Sequence, residues 1–198
     1  MSDELTRIEP TRKTGEEHIA GTGRRLLEFW QWALSDLMDN TNRALLGEYL
    51  VAAACGCDAG VKDVWASHDL QSSQGVKIEV KTTSRIQAWA QSKLSPPSFS
   101  IRKTRSWNAE KGSYDERLLR HSDVYVFCVL AHEDQATIDP LDTSQWDFYV
   151  VPTRVLAERH EKQKNISLGA VKNLPCRKTG YRKLAEAVRE AAANNRSH

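Results

Sequence analysis

One stretch limits the fold more than any other: Val124-Tyr-Val-Phe-Cys-Val-Leu130-Ala131, eight apolar or aromatic residues without a charged side chain. It is rich in β-branched and aromatic residues and far too short to span a membrane. A strand with no polar side has to be covered on both faces, which places it at the centre of a sheet between two layers. The flanking sequence supplies the layers. Leu26, Leu27, Phe29, Trp30, Ala33, Leu34 and Leu37 recur at helical spacing from Thr22 onward. Asp39-Asn40-Thr41-Asn42 then breaks the pattern and offers polar caps for a second helix, with Ala44, Leu45, Tyr49, Leu50, Ala52 and Ala53 on its apolar faces and Gly56 at its end.

Beyond Gly56 the period changes. Val61 to Ala66 is expected to be a strand and Gln71-Ser-Ser-Gln-Gly75 a hairpin loop. In the return strand Val76, Ile78 and Val80 alternate with Lys77, Glu79 and Lys81, giving one apolar face and one face with a carboxylate and an amine. Ser84 is placed as the cap of a short helix through Gln91, stopped by Pro96-Pro97, and Phe99 to Ile101 as a brief strand. Residues 102–121 are expected to be a mobile, charged loop. Trp146 to Val151 is a further strand, Pro152-Thr153 opens a helix through Arg159, and Leu184, Ala187, Val188 and Ala191 mark a C-terminal amphipathic helix. The fold class expected is α/β, a central mixed β-sheet flanked by helices. With 198 residues, 40% hydrophobic and 27% charged, the chain suits a flexible arm over residues 1–20 and a single domain over 21–198.

Charge is unevenly spread. Residues 152–198 hold eleven Lys/Arg against four Asp/Glu; with a total of +2, the remainder carries a net charge of −5. A basic end beside an acidic remainder suits a phosphate-binding face next to a carboxylate cluster, or simply a solvated helix surface. Cys55-x-Cys57, without a second ligand pair, reads as two small buried hydrophobes and not a zinc site. No leader-like segment is present, so a cytoplasmic protein is expected. No Ser-His-Asp arrangement or glycine-rich phosphate loop appears.

The chemistry-bearing stretch runs from Trp65 to Lys81. Asp69 precedes the hairpin, and Glu79-Val80-Lys81 is the sole (D/E)-x-K triplet of the chain. Hydrolysis of a phosphodiester needs charge neutralisation at the phosphate, and Mg²⁺ provides it through hard oxygen ligands while keeping most of its waters. Asp69 and Glu79 can meet across the hairpin, the Val80 carbonyl between them is a candidate further ligand, and Lys81 shares the Glu79 face because strand side chains repeat every second residue.

These residues resemble the PD-(D/E)XK nuclease superfamily, the restriction-endonuclease-like fold. Asp69 fills the first acid position and Glu79-Val80-Lys81 the (D/E)-x-K position; Glu48, in Gly47-Glu48-Tyr49, matches the additional helix acid. The similarity covers roughly residues 42–151 and departs in having His68 where proline precedes the first acid. It implies a restriction-endonuclease-like core and an endonuclease acting on DNA with Mg²⁺, for which Mn²⁺ can substitute. Asp69, Glu79 and Val80 would hold the metal, Lys81 would assist the nucleophile, and a homodimer and restriction of foreign DNA would be the setting. Gln87, Gln91, Arg102, Lys103 and Arg105 are candidates for contact with nucleic acid, with Trp89 and Trp107 beside them. The alternatives are a catalytically silent nuclease-like module that binds DNA or protein, and a structural subunit of a larger complex.

Overall fold

The structure is a computed structural model, and it describes residues 8–108 and 113–196. In chain order the elements are β1 (His18–Ile19), β2 (Arg24–Arg25), α1 (Leu26–Leu34), α2 (Asn40–Cys55), β3 (Leu70–Gln71), β4 (Lys77–Ser84), β5 (Ser98–Ser100), β6 (Trp107–Asn108), β7 (Ser113–Tyr114), β8 (Val124–Leu130), β9 (Trp146–Pro152), α3 (Thr153–Arg159), β10 (Asn165–Ser167), α4 (Leu168–Lys172), β11 (Arg177–Thr179) and α5 (Leu184–Arg196). The fold is mixed α/β. Its central sheet has the order β11-β9-β8-β4-β3, with β4 and β8 parallel and the other pairs antiparallel.

β8 lies at the middle of that sheet and every one of its residues is buried. Alternation divides its side chains between two cores. Val124, Val126, Cys128 and Leu130 join Ile78, Val80, Phe148 and Val150 under α2 and α5, which contribute Val51, Leu184 and Val188. Tyr125, Phe127 and Val129 join Tyr149 and Val151 on the other face, under Val155, Leu156, Phe99, Ile166 and Val171. At ~1.5–3 kcal/mol for each large apolar side chain buried, these two layers are what hold the sheet.

α2 starts where the polar cluster predicted. The Asp39 carboxylate accepts from the N–H groups of Thr41 (2.8 Å) and Asn42 (3.3 Å), and those bonds hold its carboxyl below the usual range. At the other end the Gly56 N–H returns to the carbonyls of Ala52 and Ala53. Along its length Gly47 is the point of closest approach to the sheet. A Cβ at that position would lie 2.2 Å from Thr82 Oγ1 on β4, so only glycine lets α2 settle at this depth.

Several expected elements differ. Residues 61–66 form no strand: Val64 and Trp65 are exposed, and the Asp63 carboxylate turns back to accept from the Trp65 N–H, so no neighbouring strand is engaged. Residues 84–91 form no helix, because Ser84 is instead the last residue of β4, paired with Leu130, and the chain beyond it bends. The helix expected from Thr22 to Leu37 is shortened to Leu26–Leu34 by the β1–β2 hairpin, which takes up Arg24 and Arg25. Residues 102–121, expected as a loop, contain the β6–β7 pair and a Thr104–Leu119 bridge. The Phe99 region pairs with β10, 68 residues away for Ser98 and Ile166, and forms a separate two-stranded sheet. β10, α4 and β11 have no counterpart in the expected order. Of the arm, residues 1–7 lie outside the described residues, while Arg12 donates to the carbonyls of Asp58 (3.3 Å) and Ala59 (2.9 Å). No helix among the described residues is long and apolar enough to cross a membrane.

Candidate metal centre

The hairpin that carries the site is closed by its own turn. Ser72 N–H donates to the Val76 carbonyl (2.9 Å), Gly75 N–H to the Ser72 carbonyl (2.9 Å), and Ser72 Oγ accepts from Val76 N–H (3.2 Å). Gly75 has φ +77°, a conformation that a side chain would disfavour. The turn fixes Leu70 opposite Ile78, and the Asp69 N–H then reaches the Ile78 carbonyl at 3.2 Å.

Beyond Leu70 strand pairing stops and the Asp69 side chain takes over. Its Oδ2 accepts from the Val80 N–H at 2.8 Å, which holds the carboxylate at the edge of the sheet, level with Val80. Within a strand the N–H and C=O of one residue point to the same side. The Val80 carbonyl therefore also faces this edge, where no strand among the described residues pairs with it. Among the described residues Asp69 Oδ1 takes no hydrogen bond.

Glu79 and Lys81 project from one face, that of Tyr125 and Phe127, as the register Glu79–Tyr125 and Lys81–Phe127 requires. Lys81 Nζ lies 2.6 Å from Glu79 Oε1, and Ser122 Oγ donates to Glu79 Oε2 at 3.2 Å. Both side chains keep some solvent contact, at 28% and 18%. Burial, and after it the charge of Glu79, pushes the Tyr125 phenol up, and the Asp69 charge adds to the effect. Asp69 sits at the edge of the sheet, where its charge also bears on Cys128 on the opposite face, and Glu79 on the Tyr125 face.

Glu48 belongs to an adjoining space. A cavity of about 470 Å³ between α2 and residues 57–71 is lined by Glu48, Tyr49, Lys62, His68 and Asp69, among others. Glu48 pairs with Lys62. His68 approaches the Ser67 hydroxyl at 3.5 Å. The cavity reaches Asp69 from the α2 side, while Glu79 and Lys81 do not line it.

Two carboxylates and a carbonyl are hard oxygen donors, a set that suits Mg²⁺, which takes one or two protein carboxylates and fills its other positions with water or substrate. A cation held there competes with Lys81 for Glu79 Oε1. Among the described residues no group of three or more His, Cys, Asp or Glu side chains is arranged to hold a metal ion, so any such site relies on the smaller donor set.

The candidate nucleic-acid residues separate into two groups. Gln87 and Gln91 are occupied in shaping their own loop: Gln87 Nε2 donates to the Ser84 carbonyl (2.8 Å), Gln91 Oε1 accepts from the Gln87 N–H (2.7 Å), and Gln87 Oε1 accepts from the buried Arg43 (3.1 Å). Arg102 and Arg105 are exposed, whereas Lys103 pairs with Glu161 at 3.3 Å. Of the C-terminal basic residues, Arg177 pairs with Glu186 and Glu190, and Lys178 with Asp147. Ser122 and Tyr125 were not singled out by sequence, because only the parallel β4–β8 pairing brings them to Glu79.

No family model matches this sequence, and a search of curated proteins finds no relative.

Proposed function

We propose that the protein is a Mg²⁺-dependent nuclease of the PD-(D/E)XK type that hydrolyses phosphodiester bonds of DNA, with a restriction-endonuclease-like core formed by α2, the β3–β4 hairpin and β8. The observation that carries this reading is the clasp of Asp69 on the Val80 N–H next to the Glu79–Lys81 pair. It brings one acid to the edge of β4 beside the face that carries the other acid and the amine, on a strand where little reorganisation would be required.

Asp69 Oδ1, Glu79 and the Val80 carbonyl would hold the ion, which neutralises charge on the phosphate when bound. Lys81 is tethered to Glu79 and positioned to donate a hydrogen bond to the attacking water or to an oxygen of the phosphate as negative charge builds. Ser122 keeps Glu79 Oε2 turned toward β8, and Glu48 supplies a further negative charge on the α2 side of Asp69. The exposed Arg102 and Arg105 are the candidates for contact with the phosphate backbone.

The test is cleavage of supercoiled plasmid by the purified protein with Mg²⁺ and with EDTA. Nicked or linear product with Mg²⁺ alone, and its loss in Lys81→Ala, is the expected result. Equal cleavage by Lys81→Ala removes the assigned site, and the absence of cleavage by the parent protein on varied DNA favours the catalytically silent module.

A further inference from the structure

α2 has two working faces. Gly47 and Val51 turn to the sheet, whereas Leu45, Glu48, Tyr49 and Ala52 recur at the spacing of a single helical stripe and line the cavity of about 470 Å³. The opposite wall is chain that forms neither helix nor strand between Cys57 and Asp69, and it supplies Val61, Lys62 and His68, with Leu70 beyond. Two ties hold that wall in place. The Cys57 N–H returns to the Ala52 carbonyl at 2.9 Å, and Arg12 donates to the carbonyls of Asp58 and Ala59. The space falls within the ~300–1,000 Å³ of ordinary small-molecule sites, and it ends at Asp69.

We infer that this cavity is a pocket for one unpaired nucleobase, with the Tyr49 ring against the base and Glu48 and Lys62 at its hydrogen-bonding edge. The inference rests on the proposed nuclease reading for the source of the base, a nucleotide of the strand whose phosphate lies at Asp69.

Charge narrows the ligand first. Among the lining residues Glu48, Asp58, Asp63 and Asp69 outnumber Arg12 and Lys62, so a phosphate is disfavoured inside. A cationic ligand would meet Lys62, which already occupies Glu48. A neutral ligand avoids both conflicts.

The polar groups then define its edge. The Glu48 side chain keeps only 17% of its exposure; its Oε2 pairs with Lys62, and among the described residues its Oε1 takes no hydrogen bond. A carboxylate that accepts beside an ammonium that donates matches the Watson–Crick edge of a base, where N–H donors stand next to ring-nitrogen or carbonyl acceptors. Leu45, Ala52, Val61 and Leu70 offer apolar contact to the ring, and Tyr49 offers an aromatic one. Bases inside a duplex are stacked and paired, so the pocket takes one from a single strand or one swung out of the helix.

The test is saturation-transfer NMR on the full chain in EDTA, with the four deoxynucleosides and, separately, spermidine, each at millimolar concentration. At least one nucleoside is expected to take up saturation, more strongly at its base protons than at its sugar. That affinity should fall about 10-fold or more in Tyr49→Ala, the loss of a stacking partner, and clearly in Lys62→Ala, and it should persist in Trp89→Ala, which removes another exposed aromatic ring. Tyr49 is 55% exposed and Lys62 lies outside regular structure, so both variants should keep the parent's far-UV spectrum. No transfer to any nucleoside overturns the inference, as does transfer to spermidine alone or transfer that Tyr49→Ala and Lys62→Ala leave unchanged. Nucleosides carry no phosphate and the assay contains no metal. Binding without plasmid cleavage would therefore count against the nuclease reading alone, and cleavage without binding against the pocket alone.

Discussion

Gly47→Ala separates the intrinsic preference of a helix from the demands of its packing. In an exposed helix interior this change stabilises by ~1 kcal/mol, because alanine is the better helix former. At Gly47 the added methyl would sit 2.2 Å from Thr82 Oγ1, 3.1 Å from its Cγ2 and 3.2 Å from its Cβ. Ordinary contact begins near 3.4 Å, so α2 and β4 must separate by about 1 Å, or Thr82 must leave its rotamer. Overpacking of this kind costs ~1–3 kcal/mol. The sum is a protein destabilised by ~0–2 kcal/mol, measured by urea denaturation followed through tryptophan fluorescence. Thr82→Ala in the Gly47→Ala background removes the two nearest clashing atoms and should recover most of the loss. That recovery appears as a coupling energy in a double-mutant cycle. A Gly47→Ala protein more stable than the parent by the full propensity gain would refute the reasoning, since it would mean that α2 does not rest on β4 at this depth. In the proposed nuclease the same shift moves Glu48 relative to Asp69, and a misplacement of 1 Å can lower a rate by ~100-fold.

Three further outcomes follow from the site and the thiols. Asp69→Ala should lower stability by ~1 kcal/mol in the same assay, because the Val80 N–H loses its acceptor. Asp69→Asn, whose amide oxygen can still accept, should stay within ~0.5 kcal/mol of the parent, and an equal loss in both variants would deny the clasp. Burial, followed by the Cys57 charge, pushes the Cys55 thiol from an ordinary 9.0 up to about 12. Its folded pKa lies above the unfolded one, so its contribution is present below about pH 9 and is lost as the pH rises toward 12. The urea midpoint should fall over that window, and less so in Cys55→Ala; an identical alkaline loss in the two proteins would assign it elsewhere. Cys128 is wholly buried, and burial raises its thiol as well, so iodoacetamide should label it only in denaturant; prompt labelling of the folded protein would contradict its position.

Much of this architecture was legible because local pattern and tertiary role coincide. The alternation of Val76, Ile78 and Val80 with Lys77, Glu79 and Lys81 survives in β4, and the unbroken run at β8 becomes the centre of the sheet, as a strand covered on both faces must. Asp39 and Gly56 bound α2 because their chemistry acts on adjacent backbone groups. What remained hidden depends on distant partners. Val61 and Val64 carry a strand-like composition but find no neighbour to pair with. The stretch after Ser84 satisfies its backbone through the Gln87 and Gln91 side chains instead of helical bonds. β5 and β10 exist only because segments far apart in sequence meet. The same holds within the candidate site. Asp69, Glu79 and Lys81 belong to one hairpin and could be read from the sequence, whereas Ser122 and Tyr125 reach Glu79 through pairing between β4 and β8.

Titration calorimetry with Mn²⁺, in the absence of DNA, tests the central claim most directly, because it registers the ion itself and not its consequences. The account predicts a binding isotherm for the parent protein that is lost in both Asp69→Asn and Glu79→Gln and kept in Gln91→Ala. A parent protein that takes up no Mn²⁺, or variants that take it up unchanged, would contradict it.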